Sequence, residues 1–151
     1  GGLKTINDVK RILNIGVEKV AVNTFATYSP YFVSELASTF GNQCIIGSID
    51  VKKDIFGKYY VKIKDGTKKT KLDPISWSKK LENLGAGELL ITSIDNDGTW
   101  NGYDKNLIKS IVNNVSIPVI GNGGAGSVQD IKRIFTVKIM KVFFLKIFIK
   151  I

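Results

Sequence analysis

An aspartate at the end of an apolar segment is the first residue whose position suggests chemistry. Asp50 follows the apolar run 44–49, so the pattern predicts a buried strand that ends on a carboxylate. Burial of a charged carboxylate is costly and shifts its pKa, which makes Asp50 a candidate general acid or base. A structural role is equally consistent with the sequence: Asp50 could cap the next loop or pair with Lys52 or Lys53.

Glycines or small polar residues stand at the ends of the predicted strands. Glycines let backbone N–H groups approach a phosphate closely, and a helix N-terminus behind them adds a favourable dipole. One such loop is weak evidence, because glycines also serve tight turns. Several at equivalent strand ends predict anion sites on both sides of one rim, and hence an elongated substrate with two phosphates. These segments are Gly1-Gly2, Asn23-Thr24, Asp97-Gly98-Thr99 and Gly123-Gly124-Ala125-Gly126.

The residue types restrict what else the site could be. The sequence contains no histidine, which excludes histidine catalysis and histidine metal ligands within this chain, so carboxylates, lysines or backbone groups must carry the chemistry. Asp95 and Asp97 are two residues apart and could face a metal together. No third oxygen-rich cluster supports them, so we expect no metal and no cofactor.

Two opposite charges begin two of the predicted strands. Lys19 precedes the apolar segment 20–22, and Glu88 precedes 89–91. They therefore belong at the end of the sheet opposite Asp50. Their charges could form a plug at the floor of a barrel, or they could be two solvated strand ends, which sequence alone slightly favours.

Strand and helix patterns alternate along the chain. Apolar strands buried on both faces that alternate with amphipathic helices predict a parallel sheet. A doubly wound sheet and a closed barrel both satisfy this pattern, but polar residues and glycines at every strand end favour a (β/α)₈ barrel with its site at that rim. The predicted strands are 19–24, 44–50, 88–95 and 118–122; the helices are 5–16, 31–40, 73–84, 104–114 and 127–135; and 58–72 predicts a hairpin turning at Asp65-Gly66.

The length and the C-terminal segment set the expected domain limits. Eight strand–helix units take about 250 residues, so 151 residues predict an incomplete barrel over residues 1–135. Residues 136–151 are rich in Lys, Phe and Ile and lack glycine and turn residues. This tail resembles a truncation or frameshift product. It is too interrupted by lysine to span a membrane, although a basic amphipathic anchor is conceivable.

Charge and cysteine content indicate which class of partner and which cellular compartment to expect. The net charge is +9, but nearly all basic residues are lysines and the only arginines are Arg11 and Arg133. Without an arginine-rich stripe, the charge indicates attraction for phosphorylated small molecules rather than nucleic acid. Cys44 is the single cysteine and no signal peptide is recognisable, so we expect a reducing, cytoplasmic setting and no membrane association.

Longer motifs are specific enough to indicate a family. The segments are Gly16-Val17-Glu18-Lys19-Val20, Val22-Asn23-Thr24, Ser48-Ile49-Asp50-Val51-Lys52-Lys53, Gly85-Ala86-Gly87-Glu88, Thr92-Ser93-Ile94-Asp95-Asn96-Asp97-Gly98-Thr99 and residues 117–126. Together, over residues 1 to about 135, they resemble the cyclase subunit of imidazole glycerol phosphate synthase. The chain is similar to a fragment of that subunit without its first strands and its normal last strand.

The resemblance implies a reaction and a partner. Ammonia from a glutaminase subunit crosses the barrel and meets a bisphosphorylated ribulosyl aminoimidazole carboxamide nucleotide. The products are imidazole glycerol phosphate and aminoimidazole carboxamide ribotide, in histidine biosynthesis. The subunit is thus expected to be a cyclase of the lyase class without a cofactor.

The resemblance also implies residue roles. Asp50 matches one of two catalytic aspartates, and Lys19 and Glu88 match charged residues at the ammonia entrance, which favours the plug interpretation. Glu18 matches a position that faces the glutaminase. The positions expected to bind substrate or its phosphates are Gly2, Asn23, Thr24, Thr92, Asp97, Gly98, Asn122, Gly123 and Gly124.

Departures from the family pattern leave two alternatives. The second catalytic aspartate belongs to a first strand that this chain lacks, so the chain could be an inactive fragment. Gly121-Asn122 stands where histidine-pathway enzymes more often have Ala-Ser, and residues 49–59 resemble a paralogous cyclase-like protein of surface-polysaccharide amino-sugar synthesis. That paralogue is thought to deliver ammonia to a sugar amidotransferase.

Overall fold

The computed structural model describes residues 2–135 and 142–144, with side chains described as far as residue 132. Helices and strands alternate along most of this length. The helices are α1 (Ile6–Asn14), α2 (Thr24–Tyr28), α3 (Tyr31–Phe40), α4 (Pro74–Asn83), α5 (Lys105–Val112) and α6 (Val128–Phe135), with a 3-10 turn at Asn42–Cys44. The strands are β1 (Val20–Val22), β2 (Ile45–Lys53), β3 (Tyr59–Ile63), β4 (Lys68–Lys69), β5 (Glu88–Ser93), β6 (Val119–Asn122) and β7 (Val142–Phe144).

The strands of the described residues form one open sheet. Its order is β4-β3-β2-β5-β6-β7, and β1 also pairs with β2. Strands β1, β2, β5, β6 and β7 run parallel, whereas β3 and β4 add an antiparallel hairpin. The fold is therefore an α/β, partial barrel, as the sequence predicts.

Strand β2 lies at the centre of this arrangement. One of its edges is covered by β5 along residues 46–51. The other edge is shared, because β1 pairs with residues 45–47 and β3 pairs with residues 50–53. Asp50 thus lies where the parallel sheet meets the hairpin.

The two faces of β2 have different surroundings. Ile45, Gly47, Ile49 and Val51 are buried, while the alternate side chains, Asp50 among them, are only partly buried. Alternation along a strand places the two sets on opposite faces. The buried face packs against the helices in a core that includes Val9, Val33, Leu36, Ile45, Ile49, Leu81, Leu89, Ile91, Leu107 and Ile111. The polar face is left available for a site.

Local sequence explains where three of the six described helices begin. Thr5 caps α1 in a reciprocal capping box with Asp8, and Asp73 and Asp104 accept hydrogen bonds from the first turns of α4 and α5. Such caps satisfy backbone N–H groups that a helix start leaves unpaired.

Several predicted boundaries differ from the observed ones. Strand β2 continues to Lys53 rather than ending at Asp50, because β3 supplies hydrogen-bond partners for residues 50–53. Helix α2 and the turn Asn42–Cys44 were not expected. Within the tail, Val142–Phe144 pairs in parallel with β6, while residues 136–141 and 145–151 lie outside the described residues. The division at residue 135 stays a prediction. None of the helices within the described residues combines the length and the apolar content of a membrane-spanning segment.

Candidate functional site

Asp50 projects from the polar face near the carboxyl end of β2. Its Oδ2 accepts a hydrogen bond of 2.8 Å from Asn23 Nδ2. Burial raises the pKa of Asp50 above its ordinary value of 3.8; hydrogen bonds from Asn23 and Thr92 oppose this rise, and the negative charges of Asp65 and Asp97 add to it. A carboxyl group that holds a proton more readily than usual is suited to acid and base steps near neutral pH.

A polar row crosses the sheet at the level of Asp50. Asp50 is registered with Lys62 on β3 and with Thr92 on β5, and Thr92 is registered with Asn122 on β6. Asn122 Nδ2 donates to Thr92 Oγ1 over 3.2 Å. The structure therefore brings three of the candidate residues onto one face. Lys62 was missed, since its place in the row depends on a hairpin register that a single sequence does not reveal.

Asn23 and Thr24 follow β1 but form hydrogen bonds with different neighbours. Asn23 contacts Asp50 and, over 3.5 Å, Ser48 Oγ. Thr24 Oγ1 accepts a hydrogen bond of 3.0 Å from the backbone N–H of Lys64 in the hairpin turn. Thr24 therefore ties the turn of the hairpin to the end of β1, while Asn23 belongs to the immediate surroundings of Asp50.

The glycines after β6 pack against the loop after β5. Gly102 N donates to Gly124 O over 2.7 Å, and a Cβ on Gly123 would lie 2.7 Å from Ser93 O and 3.3 Å from Asp97 N. A Cβ on Gly124 would overlap Gly102 O. Gly123 and Gly124 also have positive φ angles of 92° and 97°. These glycines are thus required for the contact between two loops of the rim, whatever they bind.

Two further glycine candidates lie in open surroundings. Gly98 has φ 74° and Gly2 has φ 96°, and a Cβ on either would meet nothing within 4 Å. Asp97 beside Gly98 is exposed, and its backbone N–H donates to Ser93 O over 3.0 Å. The loop after β5 therefore presents an accessible glycine at the rim, close to the Gly123-Gly124 loop.

Lys19 and Glu88 meet at the opposite end of the sheet. Their side chains form an ion pair, with 38% of Lys19 and 18% of Glu88 exposed. Glu18, which precedes Lys19 in sequence, is exposed. The two charges are not separate solvated strand ends, and Glu18 lies on accessible surface at the same end.

A second polar cluster was not expected from the sequence. Buried Asp104 accepts hydrogen bonds from Tyr59 OH, over 2.8 and 2.9 Å, and from Leu107 N over 3.0 Å, and it pairs with Lys53 Nζ at 3.0 Å. Burial alone would raise the pKa of Asp104, but Leu107, Lys53 and Tyr59 outweigh it and hold that pKa below 3.8. The cluster joins the end of β2, the start of β3 and the start of α5. The short Asp104 capping motif was its only sequence signal.

Asp95 has a structural contact rather than an evident metal geometry. Its Oδ2 accepts a hydrogen bond of 2.8 Å from Lys53 N, and its Oδ1 lies 4.0 Å from Lys52 Nζ. Lys52 and Lys53 thus pair with Asp95 and Asp104 rather than with Asp50. Within the described part of the chain, no three acidic or cysteine side chains are grouped as metal ligands would be.

Comparison with known proteins agrees with this architecture. Residues 1–150 match the sequence model of a family described as "Histidine biosynthesis protein". Proteins named "Imidazole glycerol phosphate synthase subunit HisF" are similar to the chain. The protein from Prochlorococcus marinus subsp. pastoris is 48% identical over 138 residues, 90% of this chain and 54% of that protein; that from Saccharolobus solfataricus is 48% identical over 136 residues, with coverage of 90% and 54%.

A third relative, from Alkaliphilus metalliredigens, is 43% identical over 130 residues, which cover 86% of this chain and 52% of that protein. The chain spans about half the length of the curated relatives it matches. The residues that match the family model include the strands that carry the polar row. The chain belongs to the histidine biosynthesis protein family.

Proposed function

We propose that this chain supplies part of the cyclase subunit of an imidazole glycerol phosphate synthase. The observation that carries the proposal is the setting of Asp50: a partly buried carboxyl group with a raised pKa, held by Asn23 beside glycine-rich loops at the rim. The names of the relatives support this activity over ammonia delivery for amino-sugar synthesis.

Asp50 is the proposed acid and base of ring closure. A carboxyl group with a raised pKa exchanges a proton with substrate nitrogen or oxygen at smaller cost than an ordinary aspartate near neutral pH. The hydrogen bond from Asn23 fixes the orientation of the carboxylate. In the family pattern a second aspartate lies on a strand outside this chain, so Asp50 performs one half of the proton transfers.

The rim is the proposed binding region for a substrate with two phosphates. The loops at Asp97-Gly98 and Gly123-Gly124 lie together on one side of Asp50, while Asn23 and Thr24 follow β1 on the other side. Accessible glycine N–H groups suit phosphate oxygens. Thr92 and Asn122, hydrogen-bonded to each other, line the sheet between these regions. Gly2 is proposed to belong to the second region, together with Asn23 and Thr24.

The opposite end of the sheet is the proposed entrance for ammonia. The ion pair of Lys19 and Glu88 lies there, and exposed Glu18 is proposed to face a glutaminase subunit. No cofactor is needed for this reaction, because ammonia and the bisphosphorylated nucleotide supply all the reacting atoms. The proposed location is the cytoplasm.

A complementation assay tests the proposal. The chain is mixed with ammonium chloride and the bisphosphorylated nucleotide, with and without separately produced N-terminal and C-terminal parts of the Saccharolobus solfataricus relative. Formation of imidazole glycerol phosphate is then measured. We expect product only in the complemented reaction, since both aspartates are then present. Product from the chain alone would refute the inactive-fragment alternative.

Asp50→Asn is the critical variant in the complemented reaction. It keeps the shape of the side chain but cannot exchange a proton as a carboxyl group does, so cyclisation should be lost while binding of the bisphosphate stays near wild type. Asp95→Asn, outside the polar row, is the matched control. If Asp50→Asn retains activity within about tenfold, or about 1.4 kcal/mol in the barrier, the catalytic assignment is wrong.

A further inference from the structure

Trp100 is a large aromatic residue in a backbone conformation that favours glycine. Its φ is 64°, and a positive φ is rare for a bulky side chain because Cβ crowds the neighbouring backbone. The other described non-glycine residues with positive φ are Lys64 and Asp65, which lie in the turn of the hairpin, where such angles are common. Trp100 lies instead in the loop between β5 and α5, so a hairpin turn does not explain it.

Contacts on both sides of Trp100 impose this conformation. Asn96 Nδ2 donates to Gly102 O over 2.9 Å and thereby joins the two ends of the loop. Gly102 N donates to Gly124 O over 2.7 Å. The backbone of Trp100 packs against Gly126, where a Cβ would lie 2.5 Å from Trp100 O. The loop is therefore held by its backbone and by Asn96, and not by the indole.

The indole of Trp100 gains little from burial. Trp100 is 67% exposed, whereas Trp77 is 3% exposed and belongs to the core. No hydrogen bond or ring contact joins the indole of Trp100 to another described residue. Backbone strain that local packing does not explain is concentrated at functional sites in proteins. The exposed ring is thus accessible to a ligand, and its strained position calls for one.

Trp100 also lies beside the loops that are proposed to bind phosphate. It is two residues from Gly98, so the Cα atoms of the two residues are at most about 7.6 Å apart. Its contact with Gly126 places it against the glycine loop after β6. A ribose unit spans a comparable length. A planar ring joined through ribose to a phosphate at Gly98 is therefore long enough to reach the indole.

We propose that Trp100 stacks on the planar heterocycle of the substrate and so selects nucleotides over simple sugar phosphates. This inference deepens the proposed function and rests on it, because the bisphosphorylated nucleotide carries an aminoimidazole ring. Stacking of a base on an aromatic side chain raises affinity about tenfold or more. Because the backbone of the loop is held before the substrate binds, little backbone freedom is lost on stacking.

Indole NMR tests the stacking directly, since the two tryptophans differ in exposure. The chain, labelled with ¹⁵N, is titrated with aminoimidazole carboxamide ribotide and, separately, with ribose 5-phosphate. The indole N–H signals, assigned with Trp100→Phe, are followed together with the backbone amides of Gly98 and Gly124. We expect both compounds to move the glycine amides. The ribotide alone should shift the indole signal of Trp100, and the signal of buried Trp77 should stay in place.

Substitutions separate stacking from a structural role. Trp100→Gly suits the positive φ, so it should not lower the free energy of unfolding, while it weakens ribotide binding about tenfold. Trp100→Phe keeps a smaller aromatic face and should weaken ribotide binding less. Phe56→Ala is the matched control, because Phe56 is an exposed aromatic residue in the loop between β2 and β3. It should leave ribotide binding unchanged.

The two sets of signals distinguish failure of the stacking from failure of the proposed function. An equal shift of the Trp100 indole with ribose 5-phosphate, or unchanged ribotide binding by Trp100→Gly, would overturn the stacking. A loss of stability in Trp100→Gly that accompanies its loss of binding would show a structural role instead. Glycine amides that respond while the indole does not would leave the proposed function standing without the stacking. An indole that responds to the ribotide while the glycine amides do not would count against the proposed phosphate loops, and no response in either set would overturn both.

Discussion

Replacing Asp104 by alanine should destabilise the protein more than removal of an ordinary helix cap. The side chain of Asp104 is 5% exposed and joins three segments through Leu107, Tyr59 and Lys53. Asp104→Ala removes all of these contacts at once. The matched control is Asp73→Ala, because exposed Asp73 caps α4 through a single hydrogen bond of 2.8 Å from Ser76 N.

The expected size follows from the separate contacts. Loss of the cap at Leu107 N costs about 1 kcal/mol, and leaving the Tyr59 hydroxyl without its acceptor costs about 1 kcal/mol more. The Lys53 ion pair adds only about 0.5 kcal/mol, because Lys53 is 40% exposed and water screens the pair. Asp104→Ala should therefore lower the free energy of unfolding by about 2.5 kcal/mol, against about 1 kcal/mol for Asp73→Ala.

Urea unfolding monitored by circular dichroism measures both variants. The folded pKa of Asp104 is lowered, so the stability that its charge contributes is present above the unfolded pKa and is lost as pH falls through the folded pKa. The difference between wild type and Asp104→Ala should accordingly be full at pH 7 and shrink below about pH 4. Equal losses for the two alanine variants at pH 7 would refute the argument that the contacts with Tyr59 and Lys53 add stability to that of the helix cap.

Two other substitutions have opposite expected effects. Asp50→Asn should raise the free energy of unfolding, because the folded pKa of Asp50 is raised and its charge therefore destabilises the folded state above that pKa. This gain in stability should vanish below the unfolded pKa. Urea unfolding at pH 7 and pH 3 measures it, and a loss of stability at pH 7 would contradict the argument. Gly124→Ala should lower the free energy of unfolding by at least about 2 kcal/mol, since the new Cβ would clash with Gly102 O at a residue with a positive φ. Gly98→Ala is its control and should lower it by about 1 kcal/mol, because Gly98 has a positive φ but open space around it. Similar melting temperatures for the two variants would contradict the clash.

Local patterns were sufficient to predict the parallel part of the fold. Apolar runs and caps marked β2, β5 and the helices after them, because the residues that decide those elements are neighbours in sequence. The pairing of the Asp65-Gly66 hairpin with β2 depends on contacts between distant residues, and so the extension of β2 to Lys53 could not be predicted.

The candidate site was likewise predictable in part, since some of its residues are marked by local sequence and others depend on contacts between distant residues. Asp50 was recognised at the end of an apolar run and Thr92 and Asn122 through the family resemblance, and parallel pairing then brings the three into one row. The partners of Lys53 were not predictable, because its choice of Asp104 over Asp50 depends on where the start of α5 packs. Whether Lys19 and Glu88 meet was likewise a question of register across β1, β2 and β5, which the strand patterns alone left open.

One edge of β2 is shared between β1 and β3, so solvent access at Asp50 depends on whether the hairpin β3-β4 stays attached to β2. Among the residues that the structure describes, β3 alone covers residues 50–53 on that edge, since β1 ends at Val22. Detaching the hairpin would leave residues 50–53 without a paired strand on this edge, whereas residues 45–47 would stay paired with β1. Amide hydrogen exchange should therefore reveal two zones within one strand, a slow zone at residues 45–47 and a faster zone at 50–53 whose opening follows the release of Thr24 from the hairpin turn.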